Sequence, residues 1–370
     1  MTRGNDTSPA ASRDGHSLSL VRAFLHTPDS INNVLVDFVK RIANFAGGLA
    51  IIGTACRLAA RTGWPFELAS HFVAIYSIAL IFALPFALHQ RFKKRAALYL
   101  LALIICATDL QPLFSYTGFI PRDHIRLSIL SANVKQDSLD ADRLCRLINA
   151  ENPDIICLSE ATPTTVAGLK QVLVGYPHRL EAPTRGCLGI LFYSRLPCTV
   201  TIRSHGRVPA PFITGTVTLE GGHEIGVWFV HVWPPVSPRM KRVRDDQLLG
   251  VADEIRLAGG DSIMIGDMNV SCFSPDFERL LARSGLSDSG RGFGFSPTWP
   301  VNVPLFWTMI DHVLISSEVG VLSRISGPAI GSDHFPVIVR LAIPRRSPSR
   351  LDPGGPVSRS ARGIQGADQG

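Results

Sequence analysis

Residues 262–269 read SIMIGDMN, and residues 331–337 read GSDHFPV. In the first, the apolar run Ile263–Ile265 closes on Gly266, Asp267, Met268 and Asn269. A short continuous apolar run bounded by turn residues is the pattern of a β-strand covered on both faces. Asp267 and Asn269 therefore stand where such a strand stops. Asp333 and His334 stand just ahead of another run, Val337–Leu341. Moving outward, the arrangement recurs. LSILSAN ends in Asn133, DIICLSE in Glu160 and GVWFVH in His231, while MIDHVLIS carries Asp311 near its start.

Eight runs read as strands: Arg126–Ser131, Asp154–Leu158, Gly189–Tyr193, Phe212–Leu219, Ile225–Val230, Ser262–Ile265, Asp311–Ile315 and Val337–Leu341. Helix patterns lie between some of them. Leu139–Ala150 sets Leu144, Leu147 and Ile148 on one side, and Pro238–Ala258 is long and amphipathic. A third helix opens at Ser274-Pro275, with Ser as N-cap and Pro in the first turn, and stops at Gly285. Strands interleaved with outer helices predict an α/β domain with two packed sheets.

Each polar residue, taken singly, has a structural explanation: a turn amide, a solvated carboxylate, a packed imidazole. As a set their chemistries fit together. Carboxylates and amide oxygens suit Mg²⁺, which prefers oxygen ligands. Phosphoester hydrolysis needs neutralised phosphoryl charge and a positioned water. An imidazole oriented by a carboxylate moves protons near neutral pH. Asn133, Glu160, His231, Asp267, Asn269, Asp311, Asp333 and His334 supply these parts. Neither a GxSxG elbow nor a nucleotide P-loop occurs.

In the ordered motifs SAN, LSE, VHV, GDMN, IDHVL and GSDH the chain resembles the endonuclease/exonuclease/phosphatase superfamily, the DNase I-like metal-dependent phosphoesterases. The resemblance runs over Ile125–Ile343, and its specific part is GDMN followed by GSDHFPV. It implies a four-layer α/β/β/α sandwich. It implies that Glu160 is the principal metal carboxylate, with Asn133 beside it and Asp333 facing the metal or its waters. Asp267 would orient or deprotonate the attacking water, and Asn269 would hold phosphoryl oxygens. His334 would be the catalytic imidazole, with its tautomer fixed by Asp311. His231 would bind phosphate or protonate the leaving oxygen, a role that some branches give to Tyr. GDMN departs from the commoner GDFN by an apolar exchange. The attached apolar segments make the chain similar to membrane-anchored bacterial members.

Those segments precede the domain. Leu68–Leu88 has no formal charge, and a bilayer core of ~30 Å needs ~20 helical residues. Ile42–Cys56 and Ala96–Thr108 are shorter candidates. Arg91, Lys93, Lys94 and Arg95 lie between the second and third segments, so the positive-inside rule puts that loop in the cytoplasm. Three spans would then carry the following domain outward, and two spans ending at that loop would leave it inside. The reading adopted is about three spans over 41–116, an extracytoplasmic domain over 117–345, a polar arm over 1–40 with a short helix near Ile31–Val39, and a disordered tail over 346–370. The arm lacks the apolar run of a signal peptide.

Of 370 residues, 46% are apolar and 18% charged, and the net charge is +7. Between 116 and 346, however, 23 basic residues meet 22 acidic ones, so the domain lacks the general electrostatic footprint of a nucleic-acid binder. The local cluster Arg239, Lys241, Arg242 and Arg244 reads as a solvated helix face ahead of a phosphate or headgroup contact. Among seven cysteines no CxxC pair exists, which gives no support to a zinc site. Cys187 and Cys198 are candidates for a disulfide, and His312 reads as structural. Thr298-Trp299-Pro300 reads either as a cleft wall or as a packed loop, and Arg195 either as surface or as near the cleft.

The expectation is a membrane-anchored phosphoesterase dependent on Mg²⁺ or Mn²⁺, multi-pass in a bacterial membrane and acting on a lipid-linked or small phosphoester. The alternatives are a membrane-tethered nuclease and a non-catalytic binding module on the same fold. Nucleic acid is a less favoured partner than a phosphoester in a membrane. The sequence carries no signal for an oligomeric state.

Overall fold

A computed structural model describes residues 28–115, 118–205 and 208–345. Most of the expected arm (residues 1–27) and the expected tail (346–370) lie outside the described residues. The first helix, α1 (Pro28–Leu58), is continuous over 31 residues. It therefore absorbs both the short helix expected near Ile31–Val39 and the span expected at Ile42–Cys56. A single turn, α2 (Phe66–Ala69), runs through a 3-10 turn (Ser70–Phe72) into α3 (Val73–His89), and α4 (Lys93–Phe114) follows. By length and composition, the stretches Phe66–His89 and Lys93–Phe114 could cross a membrane. Helix α1 fails that measure because Asp37, Lys40, Arg41 and Arg57 interrupt its apolar character.

The three long helices pack through small residues. Ala50, Ala83, Ala87, Ala96 and Ala102 are buried between them. At Gly47 a Cβ would lie 2.7 Å from that of Ala83. Leu49 and Ile52 of α1, Ile78 and Ile81 of α3, and Leu101 and Ile104 of α4 face outward. Arg57 answers the charge of Asp109 near the end of α4.

The rest of the chain forms two six-stranded sheets. The strands are β1 (His124–Asn133), β2 (Ile155–Ser159), β3 (His178–Ala182), β4 (Ile190–Ser194), β5 (Cys198–His205) and β6 (Ala210–Thr218). They continue with β7 (Glu224–His231), β8 (Ser262–Asp267), β9 (Ser287–Asp288), β10 (Asp311–Ile315), β11 (Gly320–Ser326) and β12 (Val337–Pro344). One sheet has the order β11-β12-β1-β2-β4-β3, the other β5-β6-β7-β8-β10-β9. All eight expected strands form, and each is internal to a sheet. The four that the apolar runs missed, β3, β5, β9 and β11, are the four sheet edges.

Alternation along single strands builds the layers. In β2, Ile155 and Cys157 face the other sheet while Ile156 and Leu158 face the helices. In β8, Ile263 and Ile265 join the core between the sheets, and Met264 joins the opposite outer layer. Helices α5 (Ala141–Glu151) and α6 (Pro163–Leu169) cover one sheet, with α5 packing Leu144, Leu147 and Ile148. Helices α7 (Pro238–Ala258) and α8 (Pro275–Ser284) cover the other. The result is the expected α/β/β/α sandwich. The caps follow the sequence signals: Ser237 Oγ accepts from Met240 N–H, Ser274 Oγ from Asp276 N–H, and Gly285 ends α8 at φ 76°.

Candidate active site

Strand register gathers the polar residues at one rim of the sandwich. In the first sheet β1 and β2 run parallel, with Asn133 beside Ser159, so Glu160 emerges one residue later. In the second sheet β7 and β8 run parallel, with His231 beside Asp267, and antiparallel β10 sets Asp311 beside the same Asp267. The backbone then turns sharply. Glu160 and Asn269 adopt φ values of 55° and 49°, a left-handed conformation that few residues other than glycine take, and one that is found where function holds the chain.

Asp267 Oδ2 is the meeting point. Asn133 Nδ2 donates to it at 3.1 Å and to Glu160 Oε1 at 2.9 Å. His334 Nε2 lies 3.8 Å from it and His231 Nε2 3.9 Å. His231 Nε2 is also 3.6 Å from Glu160 Oε1. His334 Nδ1 donates to Asp311 Oδ2 at 2.9 Å, while the N–H groups of Ile310 and Asp311 donate to Thr298 Oγ1. Asn269 is held by its own N–H to Asp267 Oδ1 and by its side-chain amide to Val232 O. Asp333 stands beside His334 on the same cavity and pairs with Lys135 at 3.0 Å. All eight expected residues are thus in one neighbourhood. Glu160, His231, Asp267, Asn269, Asp333 and His334 line a cavity of about 490 Å³.

The charges depend on one another. Burial raises the Asp267 carboxyl above its usual range, and the nearby Asp311 charge adds to this. Burial works to lower the His334 imidazole, but the carboxylates of Asp311 and Asp267 outweigh it and push it up to about 9. Asp311 is held below its usual value, because His334 overcomes the desolvation that burial imposes. Burial lowers His231. Ligand atoms of Asp267, Asp311 and His334 lie within 4.8 Å of one another, a spacing that would suit a cation only with the imidazole deprotonated. The wider donor set is mostly oxygen. Asn133 Oδ1 accepts from Lys135 N–H, which leaves one lone pair free.

Several contributors escaped the sequence reading. Ser332 Oγ donates to Asn133 O at 2.7 Å and accepts from His334 N–H, tying β1 to the His334 loop. Gln136 Nε2 approaches Glu160 Oε2 at 3.5 Å. The expected solvated face on α7 is corrected at two positions. Arg244 is fully buried, donating to Asn269 O and pairing with Asp245 and Asp276, and Lys241 pairs with the same two acids. The Cys187–Cys198 disulfide does not form: Cys187 lines the cavity while Cys198 lies on edge strand β5 of the other sheet. Trp299 lines the cavity, whereas Thr298 is buried behind Asp311. Arg195 stacks on Tyr176. His312 is structural, bonded to Val270 O and fully buried.

Comparisons with known proteins show the fold and the family. An endonuclease/exonuclease/phosphatase from Beutenbergia cavernae is 20% identical, aligns over 59% of this chain and 72% of its own, and has a TM-score of 0.50. A family protein from Bacteroides thetaiotaomicron is 16% identical over 59% of this chain and 95% of its own, also at 0.50. D. rerio TDP2, complexed with a single-strand DNA product, is 20% identical over 58% and 98%, again at 0.50. These likenesses show the sandwich fold. No curated protein sequence matches the chain. The Endonuclease/Exonuclease/phosphatase family profile matches residues 129–334, which begin in β1 and end on His334. That match spans more than half of the chain, and the chain therefore belongs to this family of hydrolases acting on phosphoester bonds.

Proposed function

We propose that the protein is a membrane-anchored, divalent-metal-dependent phosphoesterase that hydrolyses a phosphomonoester or phosphodiester by in-line attack of water. The observation that carries this reading is the convergence of Asn133, Glu160, Asp267 and the His334–Asp311 pair in one cavity. The donor set fits Mg²⁺ or Mn²⁺: Glu160 is the main carboxylate, Asn133 orients it and offers its remaining lone pair, and Asp333 faces the cation or its waters. When bound, the cation neutralises charge on the phosphoryl oxygens.

The chain's own groups handle the rest. Asp267, next to both imidazoles, aligns the attacking water and draws its proton. Asn269 contacts the phosphoryl group from its fixed turn. His334, kept protonated by Asp311, stabilises the negative charge that builds during attack. His231 sits between Glu160 and Asp267, where burial favours its neutral form and it can donate a hydrogen bond to the phosphate.

Membrane anchoring is supported by the two long apolar stretches and by the outward-facing Leu, Ile and Phe side chains on all three long helices. The multi-pass, extracytoplasmic arrangement rests on the cationic loop Arg91–Arg95. It lies at the opposite end of the helices from Trp64 and Leu113, which bond to the catalytic domain through Pro235 and Gly294.

The test is a panel of a phosphomonoester, a phosphodiester and plasmid DNA, assayed with the purified full chain. Hydrolysis should require Mg²⁺ or Mn²⁺ and stop with chelator and in Glu160→Ala. Activity that survives both treatments overturns the reading. Salt-sensitive DNA nicking as the main activity would favour the nuclease instead.

A further inference from the structure

The cavity has two kinds of wall. Its floor is the polar set of Glu160, His231, Asp267 and His334, and one side is Leu68, His71 and Phe72. Those three residues belong to the first turns of the helical stretch Phe66–His89 that could cross a membrane. Part of the cavity is thus built by the end of a helical stretch able to cross a membrane rather than by the sandwich. Resting on the phosphoesterase reading, we infer that the substrate is a membrane lipid carrying the phosphoester in its head group, which enters along Leu68 and Phe72 while its chains stay in the bilayer.

The wall is fastened in place. Glu67 is fully buried; Ser274 Oγ donates to its Oε1 at 2.6 Å, and Arg244 Nη1 and His71 Nε2 lie at 3.4 and 3.3 Å. The same Arg244 donates to Asn269 O at 3.0 Å, so one guanidinium joins the membrane helix to the strand-end loop of the catalytic floor. Removing one partner from a buried ionic group is strongly destabilising, so such a network holds two elements in a fixed relation. Trp64 Nε1 adds a bond to Pro235 O, and Phe72 packs edge-on against Phe306, with ring centroids 5.7 Å apart.

The rim continues the apolar character. Phe66, Val236, Leu305 and Phe306 are exposed next to this wall. Exposed apolar groups in a cluster mark a surface made for an apolar partner. A water-soluble phosphoester gives them nothing to contact. A lipid reaching the floor from the bilayer would lie against them, because they flank the start of the stretch that would span it.

The experiment uses the full chain reconstituted in dioleoylphosphatidylcholine vesicles with Mg²⁺. Dioleoylphosphatidic acid and dioleoylphosphatidylglycerol in the vesicles are compared with their free head groups, glycerol 3-phosphate and glycerophosphoglycerol, and with bis(4-nitrophenyl) phosphate. At least one lipid should be hydrolysed at least tenfold faster than its matched head group. Phe72→Asp should lower the lipid rate at least tenfold more than the nitrophenyl rate, and Phe72→Leu, which keeps the wall apolar, should restore the ratio. Nitrophenyl hydrolysis without lipid preference, or equal losses on both substrates in Phe72→Asp, overturns the lipid inference and leaves the phosphoesterase standing. Hydrolysis of neither class overturns both.

Discussion

The helical region and the sandwich are packed in opposite senses. In the sandwich, large aliphatic side chains such as Leu127, Ile155, Ile265 and Leu341 fill the space between the sheets. In the bundle, five alanines share the interior with Val73, Leu80, Tyr99 and Leu113, while Leu101, Ile104, Ile81 and Leu49 point outward. The sandwich is the arrangement water imposes, since burying such a side chain stabilises by about 1.5–3 kcal/mol. The bundle is the arrangement expected where lipid replaces water, because helices there gain by close backbone approach rather than by escaping solvent. The candidate site lies where the two regions meet, with its floor from one and a wall from the other.

The contrast can be broken most sharply by truncation. Ile265→Ala, in the sandwich core, is expected to cost about 2–5 kcal/mol in thermal or denaturant unfolding. Leu101→Ala, on the outer face of α4, should leave the unfolding of detergent-solubilised protein nearly unchanged. Equal costs at the two positions would contradict the opposite packing.

An added charge sharpens the same contrast. Ile104→Asp is expected to impair membrane retention, since a carboxylate at a span centre costs about 2.5–3.5 kcal/mol. Leu257→Asp, on the outside of α7 where the residue is 87% exposed, should alter neither retention nor folding. Retention of both variants in the membrane fraction would count against the span.

At the junction, pH separates a paired imidazole from ordinary packing. With divalent cation chelated, His334 has its folded value raised to about 9 above its unfolded value. Its pairing with Asp311 therefore contributes fully below the unfolded value and is lost as pH rises through about 9. Asp311→Asn should destabilise by about 1–3 kcal/mol near pH 6 and by much less at pH 10, as read from melting temperatures. A pH-independent difference would remove the ion pair.

The smallest effect lies inside the bundle. At Gly53 a Cβ would collide with the Tyr76 ring, whereas at Gly48 it meets nothing within 4 Å. Gly53→Ala is expected to lower bundle stability by about 1 kcal/mol, and Gly48→Ala is not. Helical circular dichroism on heating checks the pair.

Legibility in the sequence followed physical locality. Strands covered on both faces are continuous apolar runs, so β1, β2, β4, β6, β7, β8, β10 and β12 could be read. The edge strands could not. In β3 half-buried and exposed positions alternate, β5 is mostly exposed, and β9 is two residues long. The candidate carboxylates and imidazoles could be read because each adjoins an apolar run. What stayed hidden depends on contacts between distant residues. Glu67 and Arg244 are 177 positions apart, and nothing local to either announces a buried pair. The cavity wall from Leu68 and Phe72 was hidden for the same reason: an apolar residue at a helix start looks the same whether it faces lipid, core or substrate.

The most direct test of the central claim is the rate at which the full chain, in detergent with Mg²⁺, hydrolyses bis(4-nitrophenyl) phosphate before and after His334→Ala. The account predicts a fall of about 10²–10⁴-fold with the melting profile of the sandwich retained. An unchanged rate in a folded variant would mean that the strand-end cluster is not where the chemistry occurs.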